Sequence, residues 1–205
     1  MKILGRKFYL RETNAVAQDL LGKLLVKDEK NGKVTSGIIV ETEAYLGESD
    51  EACHAYNKTT GRSRFLYSIG GLSYVYFIYG KYFCFNVVTE QEGIGGAVLI
   101  RAVEPVEGID NMKRRRKNIS KITELTNGPS KFCLAFGITG RHNQVDLTLP
   151  DSEIKIYDTG NRKFDIMQSA RIGIIKSKDL PYRYYIKGNQ YVTKHKINSD
   201  ARIIK

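Results

Sequence analysis

The stretch from Leu72 to Val88 constrains the fold more than any other. It reads Leu-Ser-Tyr-Val-Tyr-Phe-Ile-Tyr-Gly-Lys-Tyr-Phe-Cys-Phe-Asn-Val-Val. Aromatic and β-branched side chains suit a pleated, half-buried surface. Tyr79-Gly80-Lys81 in the middle supplies the chemistry of a tight turn. The segment is predicted to be a β-hairpin, which makes the sheet antiparallel at this point.

Other segments extend that sheet. From Gly37 the residues Ile38, Val40, Thr42 and Ala44 alternate with Ile39, Glu41, Glu43 and Tyr45, the period of a strand. Gly96 to Val103 is a third strand, and Ile154–Tyr157, Ile172–Ile175 and Tyr182–Ile186 are further candidates. Leu10 to Leu25 carries Val16, Leu20, Leu21, Leu24 and Leu25 at three- and four-residue steps, which predicts a helix. Gly128-Pro-Ser-Lys131 opens a helix that runs through Phe136. Glu107 to Asn118 is a short charged helix or loop, and residues 46–71 are a long polar loop with room for a short helix. A loop that long is uncommon unless it is functional. Hairpins without repeated βαβ units predict a mixed α/β (α+β) fold with a largely antiparallel sheet. With no repeat and no clear linker, residues 1–205 are expected to form one domain.

Composition narrows the partners. Lys plus Arg number 33 against 22 Asp plus Glu, a formal net charge of +11 on 205 residues. Such a basic chain favours a polyanion, although a ribosome-associated protein or a merely basic surface has the same balance. No apolar run approaches the ~18 residues of a membrane span, and Met1 to Lys7 lacks a signal-peptide pattern. No membrane partner is expected. The expected location is the cytoplasm, with the nucleoid or nucleus following from the host. Cys53, Cys84 and Cys133 form no CxxC, and His54, His142 and His195 show no ligand spacing. Neither a disulfide framework nor a metal site is expected.

Five constellations could carry chemistry. Strand parity puts Glu41, Glu43 and Tyr45 on one face, either as an active-site wall with a usable general base or as an ordinary solvent face. The hairpin tyrosines could pack a core, but each buried hydroxyl needs a partner, and tyrosines in a basic protein also suit stacking on bases. Tyr79 abuts the turn and could project as a wedge, while Tyr76 lies in the body of the sheet. Arg101 ends an apolar strand and must pair, most simply with a carboxylate. Lys113 to Lys117 is either a phosphate grip or a solvated helix face. Ser130 and Lys131 stand at a helix start, which can hold a phosphate or be no more than a cap.

Taken in order, several motifs resemble the alkyladenine (3-methyladenine, methylpurine) DNA glycosylase family. They are Leu21-Gly-Lys-Leu-Leu25, Val40-Glu-Thr-Glu-Ala-Tyr-Leu-Gly47, Asp50-Glu-Ala-Cys-His54, Tyr74-Val-Tyr-Phe-Ile-Tyr-Gly80, Phe83-Cys-Phe-Asn86, Val98-Leu-Ile-Arg-Ala-Val-Glu-Pro105, Asn127-Gly-Pro-Ser-Lys131 and Arg171-Ile-Gly173. The resemblance implies a single domain with a curved antiparallel sheet, surrounding helices and a protruding hairpin. It implies that Glu43 is the general base, with Arg101 and the Ile172 carbonyl helping to hold the attacking water. Tyr45, His54 and Tyr76 match residues that contact the flipped base, and Asn86 matches the residue that excludes normal guanine. Tyr79 matches the tyrosine that fills the gap left in the duplex. Lys81, Ser130 and Lys131 are candidate contacts to the DNA backbone. The implied partner is double-stranded DNA with a damaged purine, bound by a monomer that needs no cofactor or metal. Three departures stand out: Gly70-Gly71 where the family often has Pro-Gly, Arg62-Ser63 where Arg-Asn is common, and Lys81 where an apolar residue is frequent. The competing expectation is a non-catalytic nucleic-acid-binding module or lesion sensor, which needs neither Glu43 nor Arg101.

Overall fold

The computed structural model describes residues 1–29, 32–57, 60–117, 119–160 and 163–205. Strands β1 (Lys2–Ile3), β2 (Leu24–Asp28), β3 (Val34–Tyr45), β4 (Ser73–Ile78), β5 (Tyr82–Val88), β6 (Ala97–Glu107), β7 (Ile154–Asp158), β8 (Ile166–Ser169), β9 (Arg183–Ile186) and β10 (Arg202–Ile203) join in one sheet. All its pairings are antiparallel. Helices α1 (Arg6–Tyr9), α2 (Thr13–Asp19), α3 (Ile109–Arg115) and α4 (Pro129–Phe136) complete the mixed α/β architecture.

β3 is the spine. It pairs with β6 along most of its length, with β2 through Val34–Ile38 and with β9 through Glu41–Glu43. The main strand order is β1-β7-β2-β3-β6-β5-β4, and β9, β8 and β10 branch from β3. Val16, Ala17 and Leu20 from α2 and its C-terminal end, with Phe132, Cys133 and Phe136 of α4, cover one face of the sheet, against Ile39, Ala44, Phe85, Val98 and Ile100. A smaller cluster of Cys53, Ala55, Leu66, Tyr74, Val88 and Ala97 lies on the other face.

The pairing of β3 with β6 is broken twice where the site will lie. The register runs Ile39↔Val103, Glu41↔Ala102, Thr42↔Ile100, which leaves Val40 unpaired on β3 and Arg101 unpaired on β6. These are β-bulges, which re-aim side chains near functional sites. Their effect is visible in the core. Ile39 and Ala44 differ in parity yet share the main cluster, while Val40 packs with Ala102, Tyr185 and Val192 instead. Glu41, Glu43 and Tyr45 do share a face, but Ile39 does not belong with them as strict alternation predicts.

The predicted hairpin forms as β4 and β5, and the helix from Gly128 to Phe136 forms as α4. The helix predicted over Leu10–Leu25 is shorter. It ends at Asp19, and the chain turns at Gly22 with φ of 78°. Leu24 and Leu25 then pair as strand with Ile38 and Gly37. Leu21 and Leu25 mimic a helical step because they flank a turn that buries them in the same core. Ile172–Ile175 is irregular, and the nearby strand is β8 instead. Residues 46–71 contain two 3₁₀ segments, Gly47–Ser49 and Gly61–Tyr67, and bury Cys53, Ala55 and Leu66. The loop predicted as polar is thus packed through small residues, and its Lys58 and Thr59 lie outside the described residues. Asn118, at the end of the charged segment around α3, does so too.

Candidate active site

The site is built where β3, β6, β9 and the hairpin meet. Arg101 projects from its bulge to join two wholly buried carboxylates. Its Nε donates to Glu41 Oε1 at 2.9 Å, and its Nη1 lies 3.2 Å from Glu43 Oε1. The predicted arginine–carboxylate pairing therefore forms, with β3 rather than with neighbouring Glu104. Arg183 of β9 donates to the same Glu41 oxygen at 2.7 Å, and the Thr193 amide donates to Glu41 Oε2 at 2.8 Å. Burial pushes the Glu41 carboxyl up, but Arg101, Arg183 and Thr193 outweigh it and hold it below its ordinary value. Burial likewise opposes the charge on Arg101, and Glu43 and Glu41 overcome it, so the guanidinium stays protonated.

Glu43 is held at both oxygens. Oε1 accepts from the Ile172 backbone amide at 2.8 Å besides facing Arg101, and Oε2 accepts from the Tyr45 hydroxyl at 2.8 Å. An ionised carboxylate has about four acceptor positions, so Oε2 keeps one to spare. At Ile172 the contact to Glu43 comes from the backbone amide; the family resemblance gives the Ile172 carbonyl a different task, toward the attacking water. Beside this group, Arg171 forms a buried, two-pronged pair with Asp50, one arm at 2.7 Å. The guanidinium carbon of Arg171 sits 4.5 Å from the centre of the Tyr45 ring. Three carboxylates, Glu41, Glu43 and Asp50, thus face three arginines, Arg101, Arg171 and Arg183, in one buried cluster.

Tyr45 connects that cluster to a cleft of about 170 Å³ lined by Tyr45, His54, Tyr74, Tyr76, Asn86 and Ile174 among others. Tyr74↔Asn86 and Tyr76↔Cys84 are cross-strand pairs of the hairpin, which is why these side chains share the cleft side. His54 meets the Tyr76 ring at 4.6 Å between centroids, nearly edge-on, and its Nδ1 lies 3.1 Å from the Tyr74 hydroxyl. Asn86 is fixed by a 3.0 Å bond from Nδ2 to the Tyr74 carbonyl. Burial raises the phenols of Tyr45 and Tyr76, with Glu43 and Cys84 respectively adding to it, and pushes Tyr74 up to about 12. All three rings are neutral at physiological pH. Glu43 itself is not a surface of the cleft, because it lies behind Tyr45 with no exposure.

Tyr79 stands apart at the tip of the hairpin, 82 % exposed and with φ of 52°. Lys81 is also exposed there, its ammonium 5.6 Å from the centre of the Tyr82 ring. Ser130 does not cap α4, whose N-cap is Gly128, and its hydroxyl lies beside the Cys84 thiol of the hairpin. Lys131 is tied to Asn127 Oδ1 at 2.8 Å. In the basic run, Arg115 bridges Glu29 at 2.9 Å and the Ala135 carbonyl, and Arg116 bonds the Glu124 carbonyl. Those two arginines fasten α3 to its surroundings. Of the departures from the family pattern, Ser63 is buried and its hydroxyl donates to the Thr60 carbonyl at 2.7 Å, and a side chain at Gly70 would meet the Tyr9 carbonyl at 2.7 Å; the neighbouring Arg62 leans over Tyr76 at 5.7 Å.

Reasoning from sequence did not single out Arg171, Asp50 and Arg183 as parts of the site. An arginine inside the apolar strand Tyr182–Ile186 was the available signal for the last. Ile175, 91 % exposed directly after the cleft residue Ile174, carried no signal.

Residues 7–190 match the family model for methylpurine-DNA glycosylase. A Clostridium acetobutylicum protein named "Putative 3-methyladenine DNA glycosylase" is 48% identical over 204 residues, spanning 94% of this chain and 98% of its own. A Clostridium perfringens protein of the same name is 45% identical, with 93% and 98% covered. One from Francisella tularensis is 46% identical over 185 residues, with 89% and 94% covered. With most of its length matched in this way, the chain belongs to the methylpurine-DNA glycosylase family.

Proposed function

We propose that the protein binds duplex DNA, turns a damaged purine into the Tyr45–His54–Tyr76 cleft and hydrolyses its bond to the sugar, leaving an abasic site. The observation that carries this reading is the Glu43 carboxylate, anchored at Oε1 by Arg101 and Ile172, with acceptor capacity left on Oε2 behind an aromatic cleft. Extrusion costs a few kcal/mol, least for a damaged or mispaired base. Tyr79 enters the gap and offsets part of that cost. The tyrosine rings stack on the extruded purine and favour a cationic, alkylated one. Asn86 tests the purine edge.

The C1′–N bond breaks through an oxocarbenium-like state, as in sugar hydrolysis. The bonding pair leaves with the purine, which departs neutral when it was alkylated and cationic. Water supplies the new C1′–O bond, and its proton passes to Glu43 Oε2. The negative carboxylate also stabilises the sugar cation. The Ile172 carbonyl and Arg101 orient the water, and Lys81, Ser130 and Lys131 meet the DNA backbone. The whole of residues 1–205 acts as one glycosylase domain, as a monomer in the cytoplasm or on the nucleoid. Among the described residues no helix is long and apolar enough to cross a membrane. Family membership disfavours a non-catalytic module.

The test is a set of duplexes, each carrying one lesion (3-methyladenine, 7-methylguanine, hypoxanthine or ethenoadenine), incubated with the protein and then treated with alkali to cut abasic sites. Cleavage at one lesion or more, above a lesion-free duplex, is expected. No cleavage at any of them contradicts the reading.

A further inference from the structure

Glu41 is the buried carboxylate that the proposed reaction leaves without a task. It has no exposure, lies between two arginines, and touches one that also touches Glu43. Burying a carboxylate is costly unless it is well bonded, and here its three hydrogen bonds come from two guanidinium groups and one backbone amide. Its holders come from three directions. Arg101 reaches it from β6, Arg183 from β9, and the Thr193 amide from the C-terminal segment. That segment holds Arg183 as well, since Asn198 Oδ1 accepts from Arg183 Nη1 at 2.9 Å and Asn198 Nδ2 donates to the Thr193 carbonyl at 3.1 Å. Thr193 and Asn198 lie beyond residue 190, where the match to the family model ends.

We propose that Glu41 is a positioning residue for base release, which fixes Arg101 against Glu43 and is itself held by Arg183 and the Thr193–Asn198 segment. Arg101 sits on a bulge, so the strand ladder does not fix its direction. Its Nε bond to Glu41 supplies that direction and presents Nη1 to Glu43. Glu41 also divides the positive charge of Arg101, so that Glu43 receives only part of it. The proposal rests on the reading of Glu43 as the base.

The charged and titratable groups around the pair are Arg101 from β6, Arg183 and Tyr185 from β9, Tyr45 from β3, Tyr76 and Cys84 from the hairpin, and Arg171. Among them, Glu41→Gln removes one negative charge and keeps the shape. Arg101 then neutralises Glu43 alone, which favours the ionised carboxylate and makes it a weaker base. The acid limb of the release rate therefore moves to lower pH. A misdirected catalytic group costs up to about 100-fold in rate.

The experiment measures single-turnover base release across pH, and lesion-duplex affinity, for the wild type, Glu41→Gln, Glu43→Gln and Asn198→Ala. For Glu41→Gln the expected result is release slowed by about 10- to 100-fold per folded molecule, unchanged affinity and an acid limb at lower pH. A purely structural Glu41 lowers the folded fraction and leaves the limb in place, and that result overturns the proposal. Should Glu41→Gln fail to fold, Asn198→Ala, on a partly exposed residue, is expected to slow release several-fold without loss of affinity, and wild-type release there overturns it. Glu43→Gln separates the two readings. If that variant releases base normally, the base assignment itself fails. If it is dead while Glu41→Gln matches the wild type, only the positioning role fails.

Discussion

The Tyr45 hydroxyl donates to Glu43 Oε2 at 2.8 Å, so a ring that lines the cleft is tied to the carboxylate buried behind it. Tyr45→Phe keeps the ring and its stacking but removes that donor. A hydrogen bond to a charged group contributes about 1.5–3 kcal/mol, and its loss destabilises the carboxylate relative to the acid. Without that bond the carboxylate is no longer held toward the attacking water, and this misplacement is expected to slow base release by roughly ten-fold or more. Its acid limb should move to higher pH, opposite to the shift expected for Glu41→Gln. A pH–rate profile with an unmoved limb would sever Tyr45 from the chemistry.

Tyr79 combines exposure with a backbone that disfavours its own side chain. A left-handed conformation costs a non-glycine residue about 1–2 kcal/mol. Tyr79→Gly relieves that strain at some cost in chain entropy, so the melting temperature should not fall. Affinity for lesion duplex should drop about ten-fold or more, since one stacked aromatic contributes roughly 1–3 kcal/mol. Calorimetry and binding titrations together decide this, and a variant that binds normally would remove Tyr79 from the DNA interface.

Arg183 neutralises Glu41 from β9 with no exposure at all. Arg183→Ala leaves a buried carboxylate short of a partner, which costs about 3–5 kcal/mol. Denaturant unfolding should show a loss of that size, and a loss under about 1 kcal/mol would mean water or another group already satisfies Glu41.

Acid should weaken the fold through the same residue. Glu41, Glu29, Glu153 and Asp146 are all held below their ordinary values in the folded protein, because their partners outweigh the upward push of burial. A depressed folded value gives stability that is fully present above the unfolded value and lost as pH falls through the folded one. The urea midpoint should therefore hold near neutral pH and decline below the ordinary glutamate value of 4.5. Glu41→Gln should start from a lower midpoint and decline less. A steeper acid loss in the variant contradicts the assignment.

Much of this site was legible because buried polar groups demand partners. Arg101 in an apolar strand required a carboxylate, and Glu41, Glu43 and Tyr45 on one face supplied two. The hairpin was legible from its period and turn, and the cross-strand pairing of Tyr76 with Cys84 followed from them. The bulges at Val40 and Arg101 were not, since nothing in the local residue pattern distinguishes them from regular strand. Arg183 meets Glu41 across 142 positions, a contact that local periodicity does not encode. Leu20–Leu25 misled for the opposite reason, since a turn at Gly22 put leucines four apart into one core without a helix.

The central claim is that Glu43 removes the proton from the attacking water. Glu43→Gln preserves shape and the Tyr45, Ile172 and Arg101 neighbours but abolishes the base. Single-turnover release from the lesion duplex, measured beside its equilibrium affinity, tests this most directly. Binding retained with release reduced by at least about 100-fold, the lower end of what a positioned acid or base contributes, is the predicted result. Release at the wild-type rate would contradict it.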